Sequence, residues 1–325
     1  MAPVIEQTLP VTIDDVHAAA ERIAPYIHHT PLQTSTALST MTNCDLRFKA
    51  EHVQRSGSFK IRGALNKLLT LTDAQRQRGV VAFSSGNHAQ GVALAGKLTG
   101  TKAIIVMPSD APAVKLQATR DYGAEVVLYD RQREDREALA KGIAAERDAV
   151  LVPPFDDPLV IAGQGTIGLE LAEQWPELEL ALIPVGGGGL ISGIAVALKA
   201  TLPHVQVIGV EPAVADDARR SLEADTVVRI AVPHTVADGV ATPAIGQYPF
   251  AIMRTLVDGI VTVDEDEIMR SLELIMTRTK QVVEPTGALS TAAALFGKVD
   301  VQGRKVVSLL CGGNIDLRVL QRLYV

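Results

Sequence analysis

A lysine among apolar and small side chains stands out in the segment SGSFKIRGA, residues 56–64. Phe59 precedes Lys60, and the small residues before them allow a bulky group to approach the amine. A lysine amine that loses its hydration has a lowered pKa and then serves as a nucleophile or a base. The sequence therefore predicts a reactive lysine at position 60.

Consecutive glycines follow an apolar strand in the segment IPVGGGGLISGIAVAL, which begins at Ile183. A strand that leads through such a loop into a helix presents backbone N–H groups to an anion, most naturally a phosphate. A tight strand-to-helix turn is the alternative, although so many glycines cost more chain entropy than a turn requires. The predicted phosphate loop consists of Gly186, Gly187, Gly188 and Gly189.

The spacing of these glycines differs from that of a dinucleotide-binding loop. No register gives G-x-G-x-x-G, because the third glycine would fall on Ile191 or on Ser192. Glu211 nevertheless ends the next predicted strand, VQVIGVE, at about the distance of a ribose-binding carboxylate. A nicotinamide-dependent oxidoreductase therefore stays open as an alternative.

Two further loops carry polar groups at strand ends. FSSGNHAQG offers hydroxyls, an amide and free N–H groups at a helix N-terminus, which suit a carboxylate, whereas simple helix capping is the alternative. LLCGGN places Cys311, otherwise a small buried hydrophobe, at the end of another strand. Together with Lys60, the loops predict an aldehyde cofactor that bears a phosphate, and an amino-acid substrate. The residues of the carboxylate loop are Ser84, Ser85, Gly86, Asn87 and His88.

Apolar runs of strand length alternate with helical patterns along the chain, which indicates an α/β protein with mainly parallel sheets. These runs are VVAFSS, KAIIVMP, EVVLYD, AVLVPP, LALIPVGGGG, VQVIGVE and KVVSLLCGGN. The runs are continuous rather than alternating, as expected for strands covered on both faces. We predict a small domain over 79–153, and a large domain from 1–78 and 154–325.

Composition narrows the functional class. The chain has 325 residues, a formal net charge of -6 and two cysteines. This charge leaves no general basic field for nucleic acid, and no apolar stretch reaches the length of a membrane span. Since no secretory signal is recognisable and a disulfide framework is not expected, the sequence predicts a cytoplasmic protein.

The motifs SGSFKIRGA, SSGNHAQG, VGGGGL, EPTG and CGGN, in this order, closely resemble the fold-type II pyridoxal-phosphate enzymes, specifically the serine/threonine dehydratase and serine racemase family. The resemblance runs from HTPLQTS at His29 to the C-terminus. It implies a two-domain fold like that of the tryptophan synthase β chain, with mainly parallel twisted sheets and helices on both faces. It also implies a homodimer.

The resemblance assigns roles to the residues of these motifs. Lys60 forms the internal aldimine and then acts as the base on Cα–H, while Phe59 packs beside the cofactor ring. Asn87 hydrogen-bonds the ring 3-oxygen, and the glycine loop holds the phosphate. Cys311 lies at the ring nitrogen, and Glu284 of EPTG belongs to the surroundings of the cofactor.

The implied reaction is dehydration of a β-hydroxy L-amino acid to a 2-oxo acid and ammonia. Ser85 matches the base on the opposite face in serine racemases, so amino-acid racemisation is an alternative. Phe155 resembles the threonine dehydratase pattern. Arg136 lies near the place where a relative contacts a second carboxylate, and a solvated arginine is the alternative. Threonine, serine, phenylserine and 3-hydroxyaspartate all stay open, as does a non-catalytic metabolite-binding protein.

The segment GVEPAVADDA resembles the divalent-cation site of the serine racemase branch. The resemblance implies that Glu211, the carbonyl of Ala215 and Asp217 bind Mg²⁺ or Ca²⁺, since both ions prefer oxygen ligands. A solvated acidic loop is the alternative.

Overall fold

The computed structural model describes residues 9–111 and 113–323. Within these ranges the chain forms ten β-strands and thirteen α-helices, none of them a helix with the length and apolar character needed to cross a bilayer. The strands are β1 (Leu32–Thr34), β2 (Asp45–Lys49), β3 (Val80–Phe83), β4 (Ala103–Pro108), β5 (Glu125–Tyr129), β6 (Val150–Leu151), β7 (Leu180–Pro184), β8 (Gln206–Pro212), β9 (Gly259–Val263) and β10 (Lys305–Leu309). The helices are α1 (Ile13–Ile23), α2 (Thr36–Thr42), α3 (Lys60–Leu69), α4 (Asp73–Arg78), α5 (Asn87–Thr99), α6 (Ala113–Asp121), α7 (Arg136–Glu146), α8 (Pro158–Gln174), α9 (Gly189–Thr201), α10 (Asp217–Glu223), α11 (Gln247–Leu256), α12 (Glu265–Thr279) and α13 (Pro285–Leu295).

Six strands form the larger sheet, in the order β1-β2-β10-β7-β8-β9. All neighbouring pairs are parallel except β1 and β2. β10 lies between β2 and β7, and its Ser308 is in register with Phe48 on one side and with Leu182 on the other. The larger sheet therefore joins strands that are far apart in the sequence.

The other four strands form a separate parallel sheet, in the order β5-β4-β3-β6. Val80 and Ala82 of β3 pack in one cluster with α3 and α5, whereas Val81 and Phe83 pack in another with α7. Burial on both faces explains why this strand is apolar throughout. The two sheets confirm the α/β class with mainly parallel strands; the domain boundaries at residues 78–79 and 153–154 stay a prediction.

Three strands were not indicated by the apolar pattern, namely β1, β2 and β9. β2 has the sequence DLRFK, and its Lys49 is fully buried. The ion pair with Glu170 of α8 compensates for the burial of this charge. β9 lies at the edge of the sheet, and most of its residues are only half-buried. Charged or half-exposed strands of this kind lack the continuous apolar signal.

Close helix packing fixes the position of α3, the helix that begins at Lys60. A Cβ atom on Gly63 would lie 2.5 Å from Nε2 of Gln164 in α8, and one on Gly163 would lie 2.6 Å from the Cα of Gly63. These distances are too short for a side chain, so the backbones of α3 and α8 are in direct contact. The start of α3, with its lysine, is thereby held against α8.

Candidate active site

A pocket lies beyond the carboxyl ends of β3, β7 and β10, where ligands commonly bind in parallel α/β sheets. It brings together the lysine and all three loops singled out in the sequence. The cation residues predicted on GVEPAVADDA lie outside it. The predicted site residues that line the pocket are Phe59, Lys60, Ser84, Ser85, Gly86, Asn87, His88, Gly186, Gly187, Gly188, Gly189, Glu284 and Cys311.

Lys60 projects its amine into this pocket from the first turn of α3. Its Nζ donates a hydrogen bond of 2.9 Å to the carbonyl of Pro154, and it lies 5.1 Å from the centre of the Phe59 ring. Desolvation lowers the pKa of Lys60 to about 8, although Cys311 and Glu284 act in the opposite direction. A minor but significant part of this amine is therefore neutral near pH 7.

The glycine loop connects β7 to α9 and is crowded on several sides. A Cβ on Gly187 would overlap the ring of Phe155, and one on Gly186 would lie 2.9 Å from the Cα of Val240. Gly188 has a φ of +87°, which L side chains rarely adopt. The loop thus exposes backbone N–H groups at the start of α9, and side chains at these positions would fill the cradle.

The carboxylate loop begins α5, and its two serines behave differently. The Ser84 hydroxyl accepts a hydrogen bond of 3.2 Å from the N–H of Gly86, so it is part of the local turn. The Ser85 hydroxyl has no hydrogen-bond partner among the residues described. The helix has Gly86 at its N-cap and no side-chain cap. Capping therefore does not explain Ser85, and the N–H groups of the first turn remain available to an anion.

His88 is buried in the wall of the pocket, with 2% of its surface exposed. Its Nε2 lies 2.9 Å from the carbonyl of Val152, so this nitrogen carries the proton, while Nδ1 has no partner among the described residues. Desolvation first, and then the charge of Lys60, lower the pKa of His88 to about 3. The imidazole is consequently neutral at physiological pH.

Glu284 and Cys311 lie in the buried part of the pocket. Desolvation raises the pKa of Glu284 to about 7, and its Oε1 accepts a hydrogen bond of 2.6 Å from the side chain of Asn87. Burial, followed by the charge of Glu284, raises the pKa of the Cys311 thiol well above its ordinary value. The thiol is therefore neutral, as a weak partner for an unprotonated ring nitrogen would be.

Lys115 and Asp238 were not predicted, yet they form an ion pair of 2.7 Å between Nζ and Oδ2 in the pocket wall. A Cβ on Gly86 would lie 3.4 Å from the Lys115 amine, which places this cation beside the carboxylate loop. A single lysine in a helix gives no local signal. Asp238 belongs to ADGVATPAIG, a segment whose composition alone does not indicate which side chain faces the pocket.

The predicted cation residues lie near the end of β8 and the start of α10. Glu211 accepts hydrogen bonds of 3.0 Å from the backbone N–H groups of Ala218 and Arg219, so its carboxylate faces α10 and is not available to a ribose. Both carboxylate oxygens of Asp217 are buried without a hydrogen-bond partner. No cluster of three or more His, Cys, Asp and Glu side chains suited to a metal occurs in residues 9–111 and 113–323. The cation site stays a prediction that would depend on two carboxylates and a carbonyl.

The chain matches one described protein family and several named relatives. The family described as "Pyridoxal-phosphate dependent enzyme" matches residues 23–312. An L-threo-3-hydroxyaspartate ammonia-lyase from Saccharomyces cerevisiae is 45% identical over 307 residues, which cover 94% of this chain and 94% of the relative. A serine racemase from Schizosaccharomyces pombe is 44% identical over 306 residues, which cover 94% of this chain and 95% of the relative.

A solved structure is similar over nearly the whole fold. The crystal structure of a T.th. threonine deaminase matches with a TM-score of 0.89 and 50% sequence identity, covering 94% of this chain and 99% of the other. Relatives with three differently named activities are therefore similar to this chain in sequence, and the threonine deaminase is similar in fold as well.

Proposed function

This chain belongs to the pyridoxal-phosphate-dependent enzyme family, and we propose that it is an ammonia-lyase that converts a β-hydroxy L-amino acid to a 2-oxo acid and ammonia. The observation that carries this proposal is the desolvated amine of Lys60, which shares one pocket with two loops suited to anions. The names of the relatives support an ammonia-lyase, because both a hydroxyaspartate ammonia-lyase and a threonine deaminase are among them.

The residues of the pocket fit pyridoxal phosphate. The glycine cradle would hold the phosphate, Phe59 would lie against the ring, Asn87 would bond its 3-oxygen, and the neutral thiol of Cys311 would face its nitrogen. When bound, the cofactor supplies a carbonyl that condenses with amines and a ring that accepts the electron pair left at Cα. This fit rests on the crowding around the glycines and on the neutral state of the thiol.

The protein supplies a base and a binding site for the substrate. The Lys60 amine takes the Cα proton, since a pKa of about 8 leaves part of it neutral near pH 7. The N-terminus of α5 binds the substrate carboxylate through its free N–H groups. His88 stays neutral and so adds no positive charge to this binding site.

Substitution of the lysine tests the proposal directly. Lys60→Ala is expected to abolish the visible absorbance of the purified protein and the release of 2-oxo acid together, because one amine both anchors the cofactor and acts as the base. Lys97→Ala, on the exposed side of α5, is the matched control and retains both. Full activity of Lys60→Ala would refute the proposal.

Racemisation of the same substrates is the second candidate, favoured by the free hydroxyl of Ser85. Racemisation needs a proton donor on the face opposite Lys60, whereas dehydration needs one face only. Ser85→Ala is therefore expected to lower the rate of D-isomer formation by a factor of roughly 10²–10⁴, which makes the D-isomer undetectable. Dehydration should weaken only modestly, and chiral chromatography beside 2-oxo acid release measures both products. Equal loss of both would show that Ser85 acts only in binding.

Two pocket residues bear on the substrate. Arg136 lines the pocket with its guanidinium 5.8 Å from the centre of the Phe83 ring, and no ion pair of this guanidinium occurs among the described residues. An unpaired arginine suits a second carboxylate. Phe155 presents an apolar ring to the same pocket and suits a β-methyl group. We therefore propose 3-hydroxyaspartate and threonine as the leading substrates, with serine and phenylserine behind them.

A panel of β-hydroxy amino acids separates these substrates. If Arg136 binds a second carboxylate, Arg136→Met is expected to lower kcat/KM for L-threo-3-hydroxyaspartate by about tenfold or more and to leave threonine within about twofold. Arg133→Met is the matched control, since Arg133 is exposed and pairs with Asp130. An equal change of kcat/KM for both substrates in Arg136→Met would show that Arg136 is a solvated arginine that does not bind the second carboxylate.

The proposal also includes a Mg²⁺ or Ca²⁺ ion bound by Glu211, the carbonyl of Ala215 and Asp217. The two unpartnered oxygens of Asp217 support it, because a buried carboxylate is stable only with a counter-charge or a proton. A cytoplasmic homodimer is likewise part of the proposal, on the family resemblance. Light scattering of the purified holoenzyme tests the dimer.

A further inference from the structure

Asn314 ends the CGGN motif, and its side chain connects two segments that are distant in the sequence. Its Nδ2 donates a hydrogen bond of 2.8 Å to the carbonyl of Ser56 and one of 2.9 Å to Oδ1 of Asn87. Ser56 belongs to the loop that leads into Lys60, and Asn87 begins α5. One amide group therefore links the lysine loop to the asparagine proposed to face the cofactor ring.

The backbone around Asn314 is matched to the lysine loop. The N–H of Gly313 donates to the carbonyl of Gly57 over 2.9 Å, and Ser58 forms an isolated antiparallel bridge with Gly312. Gly57 has a φ of +72°, and a Cβ there would collide with the side-chain oxygen of Asn314. The loop thus provides the space that Asn314 occupies.

The Asn87 amide is held at both of its ends. Its Oδ1 accepts the bond from Asn314, and its Nδ2 donates one to Oε1 of Glu284 over 2.6 Å. A flipped amide would place Nδ2 of Asn87 against Nδ2 of Asn314, two donors with no acceptor. The second hydrogen on Nδ2 of Asn87 has no partner among the described residues, and this side chain lines the pocket.

Glu284 alone would not fix this orientation. Desolvation raises its pKa to about 7, so near neutral pH the carboxyl exists in both protonation states. A protonated carboxyl can donate to the amide oxygen, and an ionised one can accept from the amide nitrogen. Asn314 presents only a donor to Asn87, because its own oxygen lies against Gly57.

We propose that Asn314 is a positioning residue that keeps the free N–H of Asn87 directed at the cofactor and couples it to the lysine loop. The inference rests on the proposed contact between Asn87 and the ring 3-oxygen. It assigns a role to the last residue of CGGN that the reaction itself does not require. Asn314 acts through Asn87 and does not touch the cofactor.

The test compares two cofactors on the apoprotein, pyridoxal phosphate and its 3-deoxy analogue, by fluorescence titration. The wild type is expected to bind pyridoxal phosphate about three- to tenfold more tightly than the analogue, as one hydrogen bond predicts. In Asn314→Asp and Asn314→Ala the preference is expected to fall to less than about twofold, because neither side chain donates to Asn87. The expected loss is one of discrimination, not of affinity in general.

Asn66→Asp is the matched control. Asn66 is also buried, and its Nδ2 donates a bond of 2.7 Å to the carbonyl of Leu159, but it does not line the pocket. This variant is expected to change the thermal unfolding midpoint and to retain the wild-type preference between the two cofactors. The comparison separates loss of a buried amide from loss of a positioned one.

Several outcomes would overturn the inference. Retained discrimination in either folded Asn314 variant would do so, and so would equal weakening of both cofactors together with a lowered unfolding midpoint of the apoprotein. Absence of discrimination in the wild type would overturn it along with the assignment of Asn87. The function proposed above stands separately, because the Lys60→Ala test measures absorbance and product in a protein with an intact Asn314.

Discussion

Two buried acidic clusters in this molecule differ in how their charge is neutralised. The first lies between β2, α3 and α8, where Glu51 and Glu170 surround the guanidinium of Arg62. Arg62 contacts Glu51 over 2.8 Å and Glu170 over 2.6 Å, and Lys49 adds a contact of 2.5 Å to Glu170. Two carboxylates thus meet two cations without help from solvent.

The second cluster lies beside α10, where Glu211 and Asp217 are buried without a cation of their own. The nearby arginines are engaged by Asp216, whose oxygens lie 2.6 Å from Arg219 and 2.7 Å from Arg220. Glu211 receives only backbone N–H groups. Buried charge in this cluster is therefore incompletely compensated within the residues described.

The pKa values move in opposite directions in the two clusters. Burial acts to raise the pKa of Glu170, but Arg62 and Lys49 outweigh it and hold the pKa below its ordinary value. Burial raises the pKa of Asp217 to about 7, because no cation in the described part of the chain compensates for the loss of solvent. A buried carboxylate in these clusters thus keeps its ionised form favoured only where cations accompany it.

The largest expected effect is loss of a cation from the first cluster. Arg62→Met leaves two buried carboxylates with Lys49 alone, so the free energy of unfolding should fall by about 3–5 kcal/mol. Urea unfolding followed by circular dichroism, with the slope of the transition compared between variants, measures this change. A loss below about 1 kcal/mol would show that the cluster is dispensable.

Supplying a cation to the second cluster should have the next largest effect. Mg²⁺ or Ca²⁺ at about a hundred times its Kd is expected to stabilise the chelator-treated protein by about 2.7 kcal/mol, since only the folded state holds both carboxylates together. Differential scanning calorimetry with and without the ion measures it. Asp217→Asn should remove the response, whereas Asp216→Asn, a neighbouring carboxylate already paired with arginines, should retain it. If neither ion changes the stability of the wild type, the segment is a solvated acidic loop and not a cation site.

Acid should weaken the first cluster through Glu170. Because its pKa in the folded state lies below the ordinary 4.5, its contribution is fully present above that pH and is lost as pH falls through the folded value. The difference in free energy of unfolding between the wild type and Glu170→Gln should therefore shrink below about pH 4.5, by about 1.4 kcal/mol per unit of pKa depression. Denaturant titrations from pH 7 to pH 3 measure it, and a constant difference would contradict the cation pairing.

Loss of an exposed ion pair should have the smallest effect on the free energy of unfolding and serves as the reference for the buried pairs. Arg147 contacts Glu125 over 2.8 Å with both side chains about half exposed. Arg147→Met should change the free energy of unfolding by less than about 1 kcal/mol, because water screens the pair. The same urea titration as for Arg62→Met applies. A cost equal to that of Arg62→Met would mean that burial is not what distinguishes the two arginines.

The residues predicted for the site line one pocket, and they could be singled out because each motif is local in the sequence. Lys60 stands in a run of small and apolar residues, and the glycine and carboxylate loops each join a strand to a helix within a few residues. Their C-terminal strand ends meet at one edge in any parallel arrangement. The α/β class followed for the same reason, since buried strands are continuous apolar runs.

The parts that were missed depend on contacts between distant segments. Lys49 makes β2 look like a surface strand until Glu170 is placed against it, 121 residues further along the chain. Asn314 forms part of a recognisable motif, but its partners Ser56 and Asn87 are 258 and 227 residues away. No spacing rule connects such residues, so only the folded structure reveals their roles.

The central position of β10 in the larger sheet has a consequence for biosynthesis. Strands β3 to β6 are contiguous in the chain, so the smaller sheet can assemble while the ribosome is still translating. β2 must wait for β10 before both of its edges are paired, which at about 5–20 residues per second takes on the order of tens of seconds. Through this interval the edge of β2 that pairs with β10 lacks its partner, and unpaired strand edges make partly folded chains prone to aggregation. The loop before Lys60 likewise meets its CGGN partner only when synthesis is nearly complete.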